Sequence, residues 1–453
     1  MKKKFSLTLL AILLGFSLAA CTTDTPTSEP NETTSASEDS SEVAVEPTEP
    51  VAEPTEPVAA EATEETVSEP TAVPDPTEEP TVEAPTTNLT DGCVENYDES
   101  VDYFPEKATI SHADGFTVEY FNNYKVVTVA APWLGAEDSA TYLLVQCGTP
   151  APEGFADAVT IDVPITSFVS MSTTYLPYLD QFGLLDTLVG VDFGFYAYNP
   201  NVQEKLAAGE LVELGSGSTV NVEAALALEP DVIMTSASGS ADFDTHPKLE
   251  EVGLTVVLNA DYLDVTPLGR AEWGKFIATF YNEEAQAEAA FNTVATEYES
   301  LVALAADVAE RPSVFANTPY EGTWYMPGGQ SYTAQLFAAA GADYLWGEDE
   351  STSTLFLDFE TVFDRAADAD YWLNQGFVTT LADLAATDER FADFAAFQND
   401  TLYNYDLRSN EFGGNDFFES AAANPNLVLA DLIKIIHPEL APDHEFVYYR
   451  LVN

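Results

Sequence analysis

The sequence predicts an α/β protein with two doubly wound lobes of parallel-rich sheets, joined by a long helical connector and preceded by a small antiparallel β extension. Two observations predict this class. Short apolar, β-branched segments alternate with helical stretches, which is typical of parallel sheets covered by helices. The alternation stops over residues 269–309, a proline-free run rich in Ala, Glu and Leu, and it restarts after Arg311-Pro312. A chain of 453 residues is long enough for two or three domains.

The composition excludes several functions. Lys and Arg number 15 against 77 Asp and Glu, a formal net charge of −62. This excludes nucleic-acid binding, which needs a clustered basic surface. Three Cys and four His exclude a disulfide-dense scaffold and most multi-ligand zinc sites. An acidic protein of this kind is best tolerated where salt screens its charge, so a saline habitat is expected.

Residues 1–20 are predicted to be a signal peptide. A basic start at Lys2 to Lys4 precedes an apolar run, Phe5 to Ala20, that is too short to span a bilayer. The run ends in Leu18-Ala19-Ala20-Cys21, which resembles the lipobox of bacterial lipoproteins. The resemblance implies lipidation of Cys21, export, and anchoring to the cell membrane on its outer or periplasmic side. The alternative is an ordinary signal peptide with an incidental Cys.

Residues 21–92 are predicted to be the lipidated Cys and a disordered stalk. Positions 22–92 hold 11 prolines and 19 acidic residues, without Lys, Arg or aromatic residues. A segment of this composition buries too little apolar surface to offset the entropy of the chain. A spacer between lipid and domain is the favoured function, and binding by the repeat Glu46 to Ala59 is the alternative.

Residues 93–157 are predicted to form the antiparallel β extension. Its strands are Phe116–Tyr120, Val126–Ala130 and Thr141–Cys147, with a turn at Asn122-Asn123. Cys93 and Cys147 flank the extension, and in an exported protein a disulfide between them is expected. Two unrelated buried thiols are the alternative.

The first α/β lobe is predicted over residues 158–267, the helical connector over 268–309 and the second lobe over 310–453. The first lobe has strands Ala158–Ile161, Leu188–Val191, Val232–Thr235 and Thr255–Leu258, and helices Tyr175–Phe182, Val222–Leu228 and His246–Val252. The alternating segments of the second are Ser313–Asn317, Tyr332–Ala339, Tyr371–Leu373 and Thr401–Tyr403, before a last helix at Leu427–Ile436.

Several segments carry a family resemblance. They are Val220–Ile233, a helix entering a strand through Pro230-Asp231; Thr266–Trp273; Trp324–Tyr332 followed by Gly341–Trp346; Gly413–Asp416; and His437–Leu440. Through them, over roughly residues 158–453, the sequence resembles the solute-binding proteins of bacterial ABC importers for ferric siderophores, haem and cobalamin.

The resemblance implies a monomeric carrier with two lobes around a cleft. It would capture an iron chelate and deliver it to an importer permease and its ATPase, with no intrinsic cofactor besides that transported ligand. Hydrolase, metalloprotease and phosphate-loop motifs are absent from the sequence, and its four His do not suggest a direct metal site. We therefore expect no enzyme and no catalytic residue. The alternatives are a haem or cobalamin carrier, or a surface lipoprotein without a transport function.

The candidate ligand contacts follow from a general rule, that open α/β sheets bind ligands beyond the carboxyl ends of their strands. They are Thr174, Tyr175, Tyr196 and Ser216 in the first lobe, and Trp324, Tyr325, Gln330, Tyr405 and Arg408 in the second. Aromatic rings suit a bulky, partly apolar chelate, although each ring could instead belong to the core or the rim. Arg408 is a candidate partner for an anionic chelate, with a surface salt bridge as its alternative.

Two glutamates are candidate docking residues. The resemblance implies that one Glu on each lobe enters an Arg pocket of the permease, and the motif match places them at Glu223 and Glu360. Two charges on separate lobes would fix the orientation of the complex. The alternative is that a Glu in a first helical turn only favours the helix dipole.

Overall fold

The computed structural model describes residues 83–376 and 378–453. The predicted signal peptide, Cys21 and most of the predicted stalk lie outside the described residues. Within these two ranges, no helix is both long enough and apolar enough to cross a membrane.

The N-terminal extension is a four-stranded mixed sheet. Its strands are β1 (Phe116–Tyr120), β2 (Tyr124–Val129), β3 (Ala140–Gln146) and β4 (Val159–Val163), paired in that order. The pairs β1–β2 and β2–β3 are antiparallel, whereas β3–β4 is parallel. A disulfide joins Cys93 to Cys147 beside this sheet.

The strand β4 corrects two sequence predictions. It was expected to open the first lobe at residue 158, but it completes the extension, which is therefore not purely antiparallel. The physical reason lies in its burial, because its residues are exposed except at Ile161 and Val163. Strands of a parallel sheet covered on both faces are buried throughout, and β4 is covered on one face only.

The predicted stalk ends earlier than residue 92. Asn88 is 5% exposed, and its side-chain nitrogen donates to the Glu106 carbonyl and to the Glu284 carboxylate, both at 2.8 Å. The Leu89 carbonyl accepts from Asn282 at 2.7 Å. The contacts with Glu284 and Asn282 span nearly 200 residues of the chain, so composition alone did not reveal them.

The first lobe is a five-stranded, all-parallel sheet in the order β7-β6-β5-β8-β9. Its elements are β5 (Phe168–Ser170), α1 (Leu176–Gln181), β6 (Leu188–Val191), α2 (Pro200–Ala208), β7 (Val212–Glu213), α3 (Val222–Leu228), β8 (Val232–Thr235), α4 (His246–Glu251) and β9 (Val256–Leu258). The chain runs outward from β5 to β7 and then returns to β8, so the switch point lies between β5 and β8. Both central strands are fully buried.

Two helices, and not one, form the connector. They are α5 (Pro267–Thr279) and α6 (Glu284–Ala305), and they pack against each other. The predicted helical connector is interrupted at Asn282, whose φ of 61° is left-handed. The Asn282 side chain donates to Gln146 of the extension at 3.0 Å, which helps to hold this break.

The second lobe has a five-stranded sheet in the order β13-β10-β15-β16-β17 and a small antiparallel sheet, β11-β12-β14. Its elements are β10 (Ser313–Ala316), β11 (Pro319–Tyr320), β12 (Thr323–Pro327), α7 (Tyr332–Ala339), β13 (Asp343–Tyr344), β14 (Thr354–Leu357), α8 (Phe359–Ala366), β15 (Tyr371–Leu373), α9 (Leu381–Thr387), α10 (Ala395–Gln398), β16 (Leu402–Asn404), α11 (Asp416–Ser420), α12 (Pro425–Ile436) and β17 (Arg450–Leu451). Only β16–β17 is antiparallel in the larger sheet.

Candidate functional site

The candidate site lies where the carboxyl ends of the two larger sheets approach each other. In the first lobe, the segments after β5 and β6 lie at or beside the switch point. Helix α11 of the second lobe packs against α1 and against the short 3-10 turn Thr173–Tyr175 that follows β5. Residues that are far apart in the sequence therefore meet at this edge.

Of the four residues predicted in the first lobe, Tyr175 is misplaced. It is 1% exposed and belongs to the core of the lobe, so it offers no surface to a ligand there. Its hydroxyl is buried without a hydrogen-bond partner, and burial holds its pKa well above the ordinary value. Thr174 and Ser216 are half-buried at the ends of β5 and β7.

Tyr196 lies in a group of aromatic rings directly after β6. Its ring centroid is 4.1 Å from that of Phe195 and 6.0 Å from that of Phe193. Phe195 is 46% exposed, which is unusual for a large apolar side chain. The sequence prediction placed the loop Phe195-Tyr196 at the cleft and chose Tyr196 as the ligand contact, whereas Phe193 was not predicted.

Trp324 was also predicted wrongly as a ligand contact. It is fully buried, its indole nitrogen donates to the Ala316 carbonyl at 2.8 Å, and its ring packs against Phe315 and Trp372. Side chains alternate along a strand, so Trp324 points inward in β12 and Tyr325 outward.

Tyr325 forms an exposed aromatic pair that the sequence analysis missed. Its ring lies 5.5 Å from that of Phe356, its partner in β14, and Phe356 is 60% exposed. The sequence Thr354–Leu357 does not alternate between polar and apolar residues, so the outward position of Phe356 became apparent only from the burial of β14 and its pairing with β12. These two rings form an outward apolar surface on the small sheet.

Gln330 and Tyr405 occupy different surroundings. Gln330 is exposed beside a shallow hollow of about 340 Å³ that Arg311, Asp343 and Glu348 also line. Tyr405 is half-buried and its ring stacks on Phe417 at 4.5 Å, and burial raises its pKa to about 12.

Arg408 forms the salt bridge that was its alternative. Its Nε lies 3.0 Å from Asp416 and 3.5 Å from the hydroxyl of Tyr198, and its guanidinium lies 5.3 Å from the centre of the Tyr198 ring. Since Tyr198 belongs to the first lobe, Arg408 connects the two lobes. Its charge is already compensated within the protein.

Further contacts join residues 197–199 of the first lobe to residues 408–419 of the second, and we call this set the interlobe latch. The Glu419 carboxylate accepts from the backbone N–H groups of Tyr198 at 2.6 Å and Asn199 at 2.9 Å. The Asn410 side chain donates to the Ala197 carbonyl at 2.9 Å. No sequence pattern indicated these contacts.

Glu419 is the buried centre of the interlobe latch. It is 3% exposed, and burial raises its pKa to about 7, although the two N–H donors oppose this shift. The negative charges of Asp416 and Asp180 act in the same direction as burial. Gly414 contributes through size, because a side chain there would collide with the Ala197 carbonyl.

The two candidate docking residues are both exposed in the first turn of a helix. Glu223 lies in α3, which Asn221 caps by accepting from the Ala224 N–H at 3.1 Å. The Glu360 side chain in α8 is 76% exposed, and its carboxylate lies 3.4 Å from Arg390. Across residues 83–376 and 378–453, no cluster of three or more His, Cys, Asp or Glu is arranged to hold a metal ion.

These features define a two-lobed binding protein of the α/β class. A family model described as periplasmic binding protein matches residues 169–408, more than half of the chain, and the chain belongs to this family. Membership places it among binding proteins and not among enzymes.

Two curated relatives are uncharacterized lipoproteins of Methanocaldococcus jannaschii. One is 27% identical over 305 residues, which is 65% of this chain and 71% of the relative. The other is 29% identical over 323 residues, which is 68% of this chain and 79% of the relative.

Solved structures with similar chains include a periplasmic binding protein from Veillonella parvula, with 16% identity and a TM-score of 0.48 over 72% of this chain and 98% of that one. Another, from Saccharomonospora viridis, is described as an ABC-type Fe3+-hydroxamate transport system. It has 15% identity and a TM-score of 0.48 over 68% of this chain and 98% of that one.

Proposed function

We propose that the protein is an extracytoplasmic solute-binding lipoprotein that captures an iron chelate between its lobes and delivers it to an ABC importer. Both lobes expose aromatic rings, in the segment after β6 of the first lobe and on the small antiparallel sheet of the second, and this observation carries the proposal. Phe195 and Tyr196 provide them in the first lobe, and Tyr325 and Phe356 in the second. Rings with a few polar neighbours suit a bulky, partly apolar ligand.

Ligand titration tests the capture step. Full-length protein in detergent is titrated with ferric siderophores, haem and cobalamin, and the intrinsic fluorescence is followed. We expect saturable binding of one ligand class, recovered chemically unchanged. Binding should weaken in Tyr325→Ala and Phe356→Ala but not in the control Tyr97→Ala, an exposed aromatic of the extension. Chemical conversion of the ligand would contradict a carrier, and failure to bind any of these would favour a non-transport surface lipoprotein.

The delivery step is proposed to use Glu223 and Glu360. Removing both charges should leave chelate affinity nearly intact and should sharply lower uptake, or the stimulation of the partner ATPase in liposomes. Replacing both residues by Lys should lower uptake further than replacing both by Ala, because like charges across an interface repel.

A matched control distinguishes docking from general acidity. Glu204 in α2 and Glu299 in α6 are also exposed, so Glu204→Ala with Glu299→Ala removes the same charge elsewhere. Equal loss of uptake in both double variants would show that docking does not depend on Glu223 and Glu360. Loss of chelate binding in the docking variant would show that the cleft is misplaced.

The anchoring step is proposed to use Cys21. The variant Cys21→Ser should move the protein from the membrane fraction to the soluble or secreted fraction. Detergent phase separation measures this, and a variant that still enters the detergent phase would refute the lipid anchor.

A further inference from the structure

The positive charge of the folded part can be followed residue by residue. The chain has 15 Lys and Arg, and apart from Lys2, Lys3 and Lys4 all of them lie in the described residues. Three lie on the cleft side of the lobes: Arg270 after β9, Arg408 after β16, and Arg450, which pairs with the last residue of β16. The others lie in the extension, on helices or before β10: Lys107, Lys125, Lys205, Lys248, Lys275, Arg311, Arg365, Arg390 and Lys434.

Each cation on the cleft side already has a hydrogen-bond or ion-pair partner within the protein. Arg270 donates to the carbonyls of Tyr262 at 2.8 Å and Asp264 at 3.0 Å. Arg450 lies 2.7 Å from Asp406. Arg408 is paired with Asp416, as described above. An anionic ligand would therefore compete with partners that these three cations already have within the protein.

A carboxylate on the same side accepts hydrogen bonds from backbone N–H groups, those of Phe193 and of the residue itself, but has no cationic partner among the described residues. Asp192 follows β6 directly and precedes the rings of Phe193, Phe195 and Tyr196. It is half-buried, and within the described part of the chain no Lys, Arg or His forms an ion pair with it. The charged neighbour that acts on it is Glu213, which is also acidic.

Two features, the cations that already have partners and the Asp192 carboxylate that has no cation, therefore point to a positively charged ligand. A carboxylate beside aromatic rings is the arrangement that receives an ammonium group, because the ring faces attract cations. Beside the rings of Phe193, Phe195 and Tyr196, a ligand with several negative charges would meet the Asp192 carboxylate without a neighbouring cation in the described part of the chain, and buried like charges are strongly disfavoured.

We propose that the cleft selects a cationic iron chelate over anionic ones, and that Asp192 with the rings of Phe193, Phe195 and Tyr196 receives its positive group. This inference rests on the proposed function. Ferric tris(hydroxamate) complexes are neutral and become cationic when the chelator carries a protonated amine. Ferric tris(catecholate) complexes are trianionic.

A matched pair of ligands tests the selection. Full-length protein in detergent is titrated with a ferric linear trihydroxamate that carries a free amine, with its N-acetylated form, and with a ferric tris(catecholate). Only one charge separates the first two. We expect the amine form to bind roughly tenfold more tightly than the acetylated form, and the catecholate to bind most weakly.

The variant Asp192→Asn should abolish the preference for the amine form, whereas Asp307→Asn, which removes an exposed acid after α6, should retain it. Equal binding of amine and acetylated forms by the native protein, tighter binding of the catecholate, or a preference unchanged in Asp192→Asn would overturn the inference and leave the proposed function standing. Failure of all three chelates, and of haem and cobalamin, would overturn the proposed function itself. If Asp192→Asn does not fold, the native protein's order of affinities decides the question.

Discussion

The interlobe latch should make the stability of the protein depend on pH, and one substitution should remove this contribution. The Glu419 carboxyl has a pKa of about 7 in the folded protein against an ordinary value of 4.5, because burial disfavours its ionised form. The folded state therefore holds this proton more tightly than the unfolded state does. Its contribution to stability is fully present below pH 4.5 and is lost as the pH rises through 7.

The size of the effect follows from the shift. A pKa raised from 4.5 to about 7 corresponds to a loss of about 3 kcal/mol in the free energy of unfolding between acidic and alkaline pH. The variant Glu419→Gln carries no titrating group. Its amide oxygen can accept from only one of the Tyr198 and Asn199 N–H groups, and the unpaired donor costs about 1–3 kcal/mol at every pH.

The native protein should therefore be more stable than Glu419→Gln at pH 5, and the difference should shrink or reverse at pH 8.5. The measurement is denaturant unfolding of both proteins at several pH values in constant high salt. Buried acids that do not act on Glu419, such as Asp261, contribute equally to both curves and cancel in the difference, whereas Asp416, which does act on it, contributes to the difference. Glu411→Gln, an exposed acid of the same segment, serves as the control. Parallel stability curves for native protein and Glu419→Gln would refute the reasoning.

Three further predictions concern stability. Residues 5–453 hold 12 Lys and Arg against 77 Asp and Glu, so the melting temperature should rise between dilute buffer and molar potassium chloride, and a flat profile would contradict this. Lys125→Met leaves the buried Glu284 carboxylate, 2.6 Å from the lysine nitrogen, without its cation, and should cost about 3–5 kcal/mol in denaturant unfolding. Adding Glu284→Gln should recover part of the lost stability. A double variant that is no more stable than Lys125→Met alone would contradict this prediction. Cys93→Ser opens a disulfide across 54 residues and should cost about 4 kcal/mol in the same assay, whereas Cys21→Ser should cost nothing, and equal effects would contradict the assignment.

The fold class was predictable because it is indicated by patterns within short stretches of the sequence. Alternating apolar strands and helices correctly indicated two parallel-rich lobes. Three of the four helices of the first lobe lie close to their predicted ranges, whereas α2 was not predicted. The errors came from elements that distant contacts define. Strand β5 has only three residues and gave no signal on its own, and β4 joined the extension through pairing that its own sequence does not specify.

The site was less predictable because the type of a residue does not show whether its side chain points to the surface or into the core. Tyr175 and Trp324 have the aromatic character that a ligand needs, but both side chains point into the cores. Alternation along β12 could have distinguished Trp324 from Tyr325. No local pattern could have paired Arg408 with Tyr198, which lies 210 positions away and in the other lobe.

The same latch connects stability to movement of the lobes. Any movement that separates residues 197–199 from the second lobe must withdraw Glu419 from its two N–H donors and expose it to water. In water its pKa returns toward 4.5, so a lobe opening near neutral pH releases the proton that the buried carboxyl held. By linkage, acid favours the closed lobes and alkali favours the open ones. We therefore expect any opening of the lobes to depend on pH through Glu419, together with Asp416 of the same latch, whose pKa burial also raises.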